Sequence, residues 1–262
     1  MKSANWVLED WKAGFAHYRF WWRFGLLDIK LRYRRTVLGP FWLTMSFGVS
    51  AAALTFVYTT LFNMPTRSFF AYLISGLAVW GLIAGLVTDG CMTFIQQSHL
   101  VQQHRLPLLA HALRSVVVGF LVFLHNIVVV IGALIVFGVG IGWATLLAVP
   151  AVGLVLVNGV WVAMLFGMLS ARFRDLPQLV TVLVSVAFFV TPVFWYKDML
   201  GGRGYITTFN PLYSFLEMVR APLLGQLPSM LSVGIVLGIT VAGWLTTFLY
   251  ACRFQPKLTY WV

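Results

Sequence analysis

Polar and apolar positions in this chain segregate into long blocks. No Lys, Arg, Asp or Glu occurs in 36–66, 68–88, 115–171, 176–196 or 221–252. A helix rising about 1.5 Å per residue needs about 20 apolar residues to cross a hydrocarbon core of about 30 Å. Four of the blocks suit one such helix each. The 115–171 block is long enough for two, with a break at Gly138, Gly140 and Gly142 ahead of Trp143. The pattern predicts an all-α membrane protein of six spans, at about 38–62, 69–95, 114–137, 145–171, 177–195 and 229–252. Helices are required because backbone groups within lipid must satisfy one another.

The connecting segments have other textures. In 1–37, Val7, Trp11, Phe15, Tyr18, Trp22, Leu26 and Ile29 recur at spacings of four and three, with Lys12, Arg19, Arg23 and Lys30 beside them. A Trp-rich stripe with a basic flank fits a helix lying in the membrane interface. A soluble amphipathic helix packed on a partner satisfies the same spacing. Residues 96–113 mix Gln96, Gln97, His99, Gln102, Gln103, His104 and Arg105 with Leu100, Leu106 and Leu109, which predicts a short amphipathic helix ending near Pro107. Segment 196–228 is too polar and too broken by Gly and Pro to span. Short half-helices re-entering one leaflet fit it, since irregular backbone at that depth is tolerated only against protein or a water-filled cavity. The organisation expected is an interfacial segment at 1–37, a six-span domain at 38–252 and a tail at 253–262.

Composition excludes a water-soluble globule. Hydrophobic residues make up 60% of the 262 and charged residues 10%, against about a quarter charged in soluble domains. A single core cannot hide so much apolar side chain. The net charge of +11 could suit nucleic acid, but its distribution does not. Eight of the 18 Lys and Arg lie in 1–37, and others flank the ends of predicted spans. With both termini in the cytoplasm, 14 of the 18 face inward and only Arg67, Lys197, Arg203 and Arg220 face out. That asymmetry orients a multi-pass protein of a bacterial inner membrane.

Chemistry is defined mostly by what is missing. No Gly-Lys dipeptide occurs, so the chain holds no phosphate-binding loop of the Walker type. His-Glu-x-x-His, Gly-x-Ser-x-Gly and Cys-x-x-Cys are also missing, and Cys91 and Cys252 fall in predicted spans. No catalytic residue and no metal site is expected. Of seven carboxylates, only Asp89 lies within a predicted span, thin support for an ion-coupled carrier. A membrane glycosyltransferase or polymerase would need catalytic carboxylates on large outer loops, where this chain has only Asp198 and Glu217. Arg34 and Arg35 stand just before the first span. Topology accounts for them, and so does recognition of a lipid phosphate by guanidinium forks. Tyr58, Phe62, Tyr72, Phe194, Trp195 and Tyr213 fall toward the outer ends, where an interfacial aromatic belt and stacking on sugar rings along a channel are both open readings.

Several strings resemble a family. Arg34-Arg-Thr-Val-Leu-Gly-Pro-Phe-Trp42 is similar to the approach to span 1 in type-2 ABC permeases that export polysaccharides: O-antigen, capsule and teichoic acid. Arg172-Phe-Arg-Asp175 resembles the inner turn between spans 4 and 5, and Thr191-Pro-Val-Phe-Trp195 the end of span 5. Asn210, Pro211 and Leu212, followed by Glu217 and Arg220, resemble its outer re-entrant segment, and Tyr260-Trp-Val262 its tail. Many members carry Asn near position 98 and Phe-Pro at the loop end, where this chain has Ser98 and Leu106-Pro107.

The resemblance implies a homodimer whose central channel passes an undecaprenyl-diphosphate-linked glycan. Two copies of a separate cytoplasmic ABC ATPase would drive it, holding the ATP and Mg, so that this chain binds no cofactor. It further implies a cytoplasmic coupling helix between spans 2 and 3, with Leu100, Gln103, His104 and Arg105 as the ATPase contact. Asn210, Pro211, Glu217 and Arg220 would form a re-entrant gate. The O-antigen branch is the nearest in flavour; a capsule, teichoic-acid or drug exporter is the alternative.

Overall fold

The computed structural model describes residues 2–39, 41–103, 106–138, 142–203 and 205–262. Every regular element among them is helical: α1 Lys2–Ala16, α2 Tyr18–Arg32, α3 Phe41–Phe62, α4 Thr66–Gln96, α5 Ser98–Gln103, α6 Leu108–Val136, α7 Ala148–Arg172, α8 Leu176–Val190, α9 Tyr205–Thr208, α10 Pro211–Leu223 and α11 Met230–Phe254. Short 3-10 segments lead into α7 (Trp143–Leu147), cross Lys197–Arg203 and follow α11 (Gln255–Tyr260).

Five helices are long and apolar enough to cross a membrane: α3, α4, α6, α7 with its leading turn, and α11 with its trailing one. The expected fifth span is shorter. α8 is an apolar helix of 15 residues, about 22 Å at the usual rise. It stops at Thr191, and 191–195 form a turn.

α4 is the axis of the bundle, and α3, α6, α7, α8 and α10 all pack on it. α3 buries only Ala51 and Thr55, and α8 only Val180. Both are apolar on nearly every face, so their outer surfaces suit lipid or another apolar protein surface.

Two boundaries differ from the sequence expectation for physical reasons. α6 begins at Leu108 rather than 114. Arg114 therefore lies inside the helix, where Asp28 of α2 takes both arms of its guanidinium at 2.6 and 2.7 Å. The single stripe expected over 1–37 is also divided. The chain breaks at His17, whose Nδ1 lies 2.6 Å from the Ala13 carbonyl. Of the stripe, Val7 and Ile29 are buried and Trp11 packs edge-on against Trp244 and Phe248. Phe15, Tyr18, Trp22 and Leu26 remain exposed.

The two N-terminal helices lie directly on α6. A Cβ at Gly14 would fall 2.7 Å from Leu109 Cβ, and one at Gly25 would fall 2.6 Å from Val117 Cγ1. Asp10 adds a polar bond to the contact. Its carboxylate accepts from the Leu108 amide at 3.1 Å and the Leu109 amide at 3.4 Å, two donors with no partner inside their own helix. Removal from water raises the Asp10 pKa, against the lowering effect of those two amides.

Candidate functional site

Residues of candidate function gather at the two ends of the bundle. At the end away from α1 and α2, the turn that follows α8 is gripped from two sides. Thr191, Pro192 and Val193 are buried. The Pro192 carbonyl accepts from Arg220 Nη1 at 2.6 Å and lies 3.0 Å from the Tyr72 hydroxyl, which is also 2.9 Å from the Trp195 carbonyl. Arg220 is only 5% exposed, and its guanidinium stacks 4.0 Å from the centre of the Tyr72 ring. A buried cation is thus paired with one carbonyl and one π face.

α10 starts here because Asn210 caps it. Its side-chain oxygen accepts from the Leu212 and Tyr213 amides at 3.0 and 3.3 Å, with Pro211 in the first turn. The same side chain donates from Nδ2 to Thr191 Oγ1 at 2.9 Å. Midway along α10, Glu217 accepts from Ser232, and from Ser229 at 3.2 Å, tying α10 to the start of α11. Asn210, Pro211, Glu217 and Arg220 therefore converge on one construction, a bracket joining α4, the 191–195 turn, α10 and α11.

The bracket borders a cleft of about 530 Å³ whose walls include Tyr72, Tyr196, Asp198, Tyr213, Glu217 and Arg220. Burial, and the neighbouring Glu217, push the Tyr213 hydroxyl up to about 12, so at neutral pH it is a phenol that can still donate. The expected aromatic set divides. Tyr72 and Tyr213 face this cleft. Tyr58, Phe62 and Phe194 group around Phe69, with Tyr58 5.7 Å from Phe62 and 5.5 Å from Phe194 between ring centres, and Phe69 meets Tyr196 of the cleft wall at 5.9 Å. Trp195 turns away and donates to the Phe189 carbonyl at 3.2 Å. Tyr196, another aromatic toward the outer ends in the sequence, also lines this cleft. It lies 4.4 Å from Tyr72 between ring centres, in a position that only the fold of the preceding turn provides.

At the opposite end, α5 packs through Val101, which is buried, with Leu100 half-buried and Gln103 exposed. His104 and Arg105 lie outside the described residues. Arg34 and Arg35 sit exposed in the turn after α2, Arg35 with φ at 73°. Among the described residues the one ion pair is Arg114–Asp28.

That pair belongs to a polar cluster that single-segment reading could not assemble. Gln97 Oε1 lies 2.8 Å from His111 Nδ1 and accepts from Arg114 Nη1 at 3.4 Å; Thr93 Oγ1 donates to Ser115 Oγ at 3.0 Å. The cluster edges a cleft of about 430 Å³ that also takes in Arg32 and Asp89. Asp28 and Arg114 are 86 positions apart. Their only sequence signal is a charge of each sign near the limits of apolar blocks. Among the described residues, no group of three or more His, Cys, Asp and Glu is placed to hold a metal ion.

With the geometry in place, comparison with known proteins decides the class. Residues 22–224 match the model of the family described as ABC-2 type transporter. The chain belongs to that family. The match runs from α2 to the end of α10, so both clusters lie within the ABC-2 region except for Ser229 and Ser232, which follow it. Two O-antigen export system permease proteins RfbA are similar to it. The one from Klebsiella pneumoniae is 27% identical over 192 residues, covering 72% of this chain and 74% of its own. The one from Myxococcus xanthus is 27% identical over 203 residues, covering 74% and 76%. As an ABC-2 permease, the chain is a transport subunit embedded in the membrane by several apolar helices.

Proposed function

We propose that this chain is the transmembrane subunit of an ATP-driven exporter that moves a lipid-linked polysaccharide of the O-antigen kind, on undecaprenyl diphosphate, across the inner membrane. The observation that carries the reading is the ABC-2 match over 22–224 together with relatives whose names state O-antigen export.

The remaining parts follow from chemistry. The chain carries no Walker-type loop, so the energy of ATP must arrive from a separate ATPase, two copies serving a homodimer. The exposed apolar faces of α3 and α8 supply surface for a second copy and for lipid. α8 with the 191–195 turn serves as the sixth span, and α9–α10 re-enter the outer leaflet. The basic end, with α1, α2, α5 and 255–262, faces the cytoplasm. There α1 and α2 lie in the interface with Phe15, Tyr18, Trp22 and Leu26 toward lipid. α5 presents Leu100 and Gln103 to the ATPase, and His104 and Arg105, outside the described residues, belong to the same proposed contact. Arg34 and Arg35, exposed and without an acidic partner among the described residues, meet the lipid diphosphate. The cleft beside Tyr72, Tyr213, Glu217 and Arg220 offers aromatic and hydrogen-bonding surface to sugar at the exit.

Deletion of the coding region tests the reading. The expected result is loss of surface polysaccharide with accumulation of the lipid-linked glycan on the cytoplasmic face, restored by the intact chain. Unchanged export would contradict it. Loss of a capsule, of teichoic acid or of drug resistance alone would move the substrate to the corresponding branch.

A further inference from the structure

The segment after α11 does more than leave the membrane. Leu258 is 0% exposed and Gln255 2%, with the Gln255 amide beside the Asp10 carboxylate. Two backbone carbonyls further on are then taken by side chains from two different connections. Arg174, in the turn between α7 and α8, donates from Nη2 to the Trp261 carbonyl at 2.8 Å. Gln102, on α5, donates from its side-chain amide to the Val262 carbonyl. The Arg172 guanidinium stands 5.4 Å from the Trp261 ring centre and 5.5 Å from that of Phe254. Gln102 and Arg174 lie 160 and 87 positions from the carbonyls they hold.

α5 has little else to fix it. It is six residues long and buries one side chain, Val101. A cleft of about 650 Å³ lies between α1, α5 and the 255–259 stretch, with Gln102 in its wall. A helix this short is marginal by itself, and it can transmit a displacement only if its position is set by neighbours. A 3-10 segment with a buried Leu, anchored at the foot of α11, provides such a setting.

We infer that residues 255–262 act as a strap that ties α5 to the α7–α8 turn, so that the two connections move as one body. Gln102 and Arg174 are then positioning residues for the coupling helix. This rests on the reading of α5 as the ATPase contact. The strap lies outside the residues that match the family model, so that match does not require it. A push on α5 reaches α7, α8 and α11 through the strap, as well as α4 and α6 through the backbone.

The test is a permease with both Gln102→Ala and Arg174→Ala, purified with its cognate ABC ATPase and reconstituted in liposomes with lipid-linked glycan. Both side chains are exposed, so insertion should be unaffected. The expected result is normal co-purification of the ATPase, with glycan moved per ATP hydrolysed reduced about tenfold. A tenfold change corresponds to about 1.4 kcal/mol, within reach of the one charge-assisted and one neutral hydrogen bond removed. Restoring a cationic donor by Arg174→Lys in the double variant should recover part of the ratio. Wild-type coupling in the double variant would overturn the strap and leave the functional reading intact. A wild-type permease that binds no ABC ATPase would overturn the functional reading itself.

Discussion

Arg220 shows how single side chains hold this molecule together. Between helices in lipid no hydrophobic driving force remains, because the alternative solvent is as apolar as Leu, so packing and polar contacts carry the association. The Arg220 guanidinium fixes the Pro192 carbonyl and covers the Tyr72 ring, and a hydrogen bond to a charged group contributes about 1.5–3 kcal/mol. Arg220→Ala should lower the unfolding free energy in detergent by an amount of that order, seen as a lower thermal midpoint, with Arg220→Lys recovering part of it. An unchanged midpoint in Arg220→Ala would show that the bracket is incidental. Asp10 makes a pH-dependent claim. Its folded pKa lies above the ordinary 3.8 because burial opposes ionisation. The folded state therefore binds the proton more tightly than the unfolded one. Its contribution is complete below about 3.8 and falls as pH rises through the higher folded value. Asp10→Asn keeps an oxygen for the Leu108 and Leu109 amides without the charge. Melting scans should show wild type losing stability relative to Asp10→Asn as pH increases across that window, and parallel curves would refute the assignment.

At the scale of elements, the clearest result is that α1 and α2 are docked on α6 rather than floating beside it. Gly25→Leu would force a side chain into the space of Val117 Cγ1, 2.6 Å from the new Cβ; overpacking of this kind costs about 1–3 kcal/mol. The expected outcome is faster hydrogen exchange throughout α2 and a weakened Asp28–Arg114 pair, with α4 and α7 unchanged. Protection of α2 equal to wild type would mean that the contact is not tight. This docking was hidden in the sequence for a definite reason. The stripe from Val7 to Ile29 records which residues avoid water, and lipid and α6 satisfy that condition equally. What separates the two is the missing side chain at Gly14 and Gly25, and a helical glycine does not by itself say which neighbour comes close. By contrast, the apolar blocks were plain because covering a helix with lipid demands a particular composition. The Asn210 cap is a local contact, yet in the sequence Asn210-Pro211 stood out only as part of a family-like string, and its capping role came from the structure. Arg220, Tyr72 and Pro192 meet only through the fold, so their string could be noticed but its purpose could not. Of the expected aromatic channel residues, only Tyr72 and Tyr213 reached the cleft, for the same reason.

For the whole molecule, the proposed topology makes one commitment that can be checked directly. Cysteines placed at Ser3 and Thr259 should react only with reagents applied from the cytoplasm, and one at Thr66 only with reagents applied from outside. Labelling of position 66 from the cytoplasm would mean that the orientation is reversed or that α3 does not cross, and would overturn the six-span topology. The central claim is transport itself. Proteoliposomes containing this permease and its cognate ATPase, loaded with an undecaprenyl-diphosphate-linked glycan, permit the most direct measurement. Access of an impermeant glycosidase or lectin to that glycan is followed before and after ATP is added. The account predicts translocation that requires ATP, requires both proteins and stops when the ATPase is inactivated. Movement without ATP, or none with both proteins active and bound to each other, would contradict it.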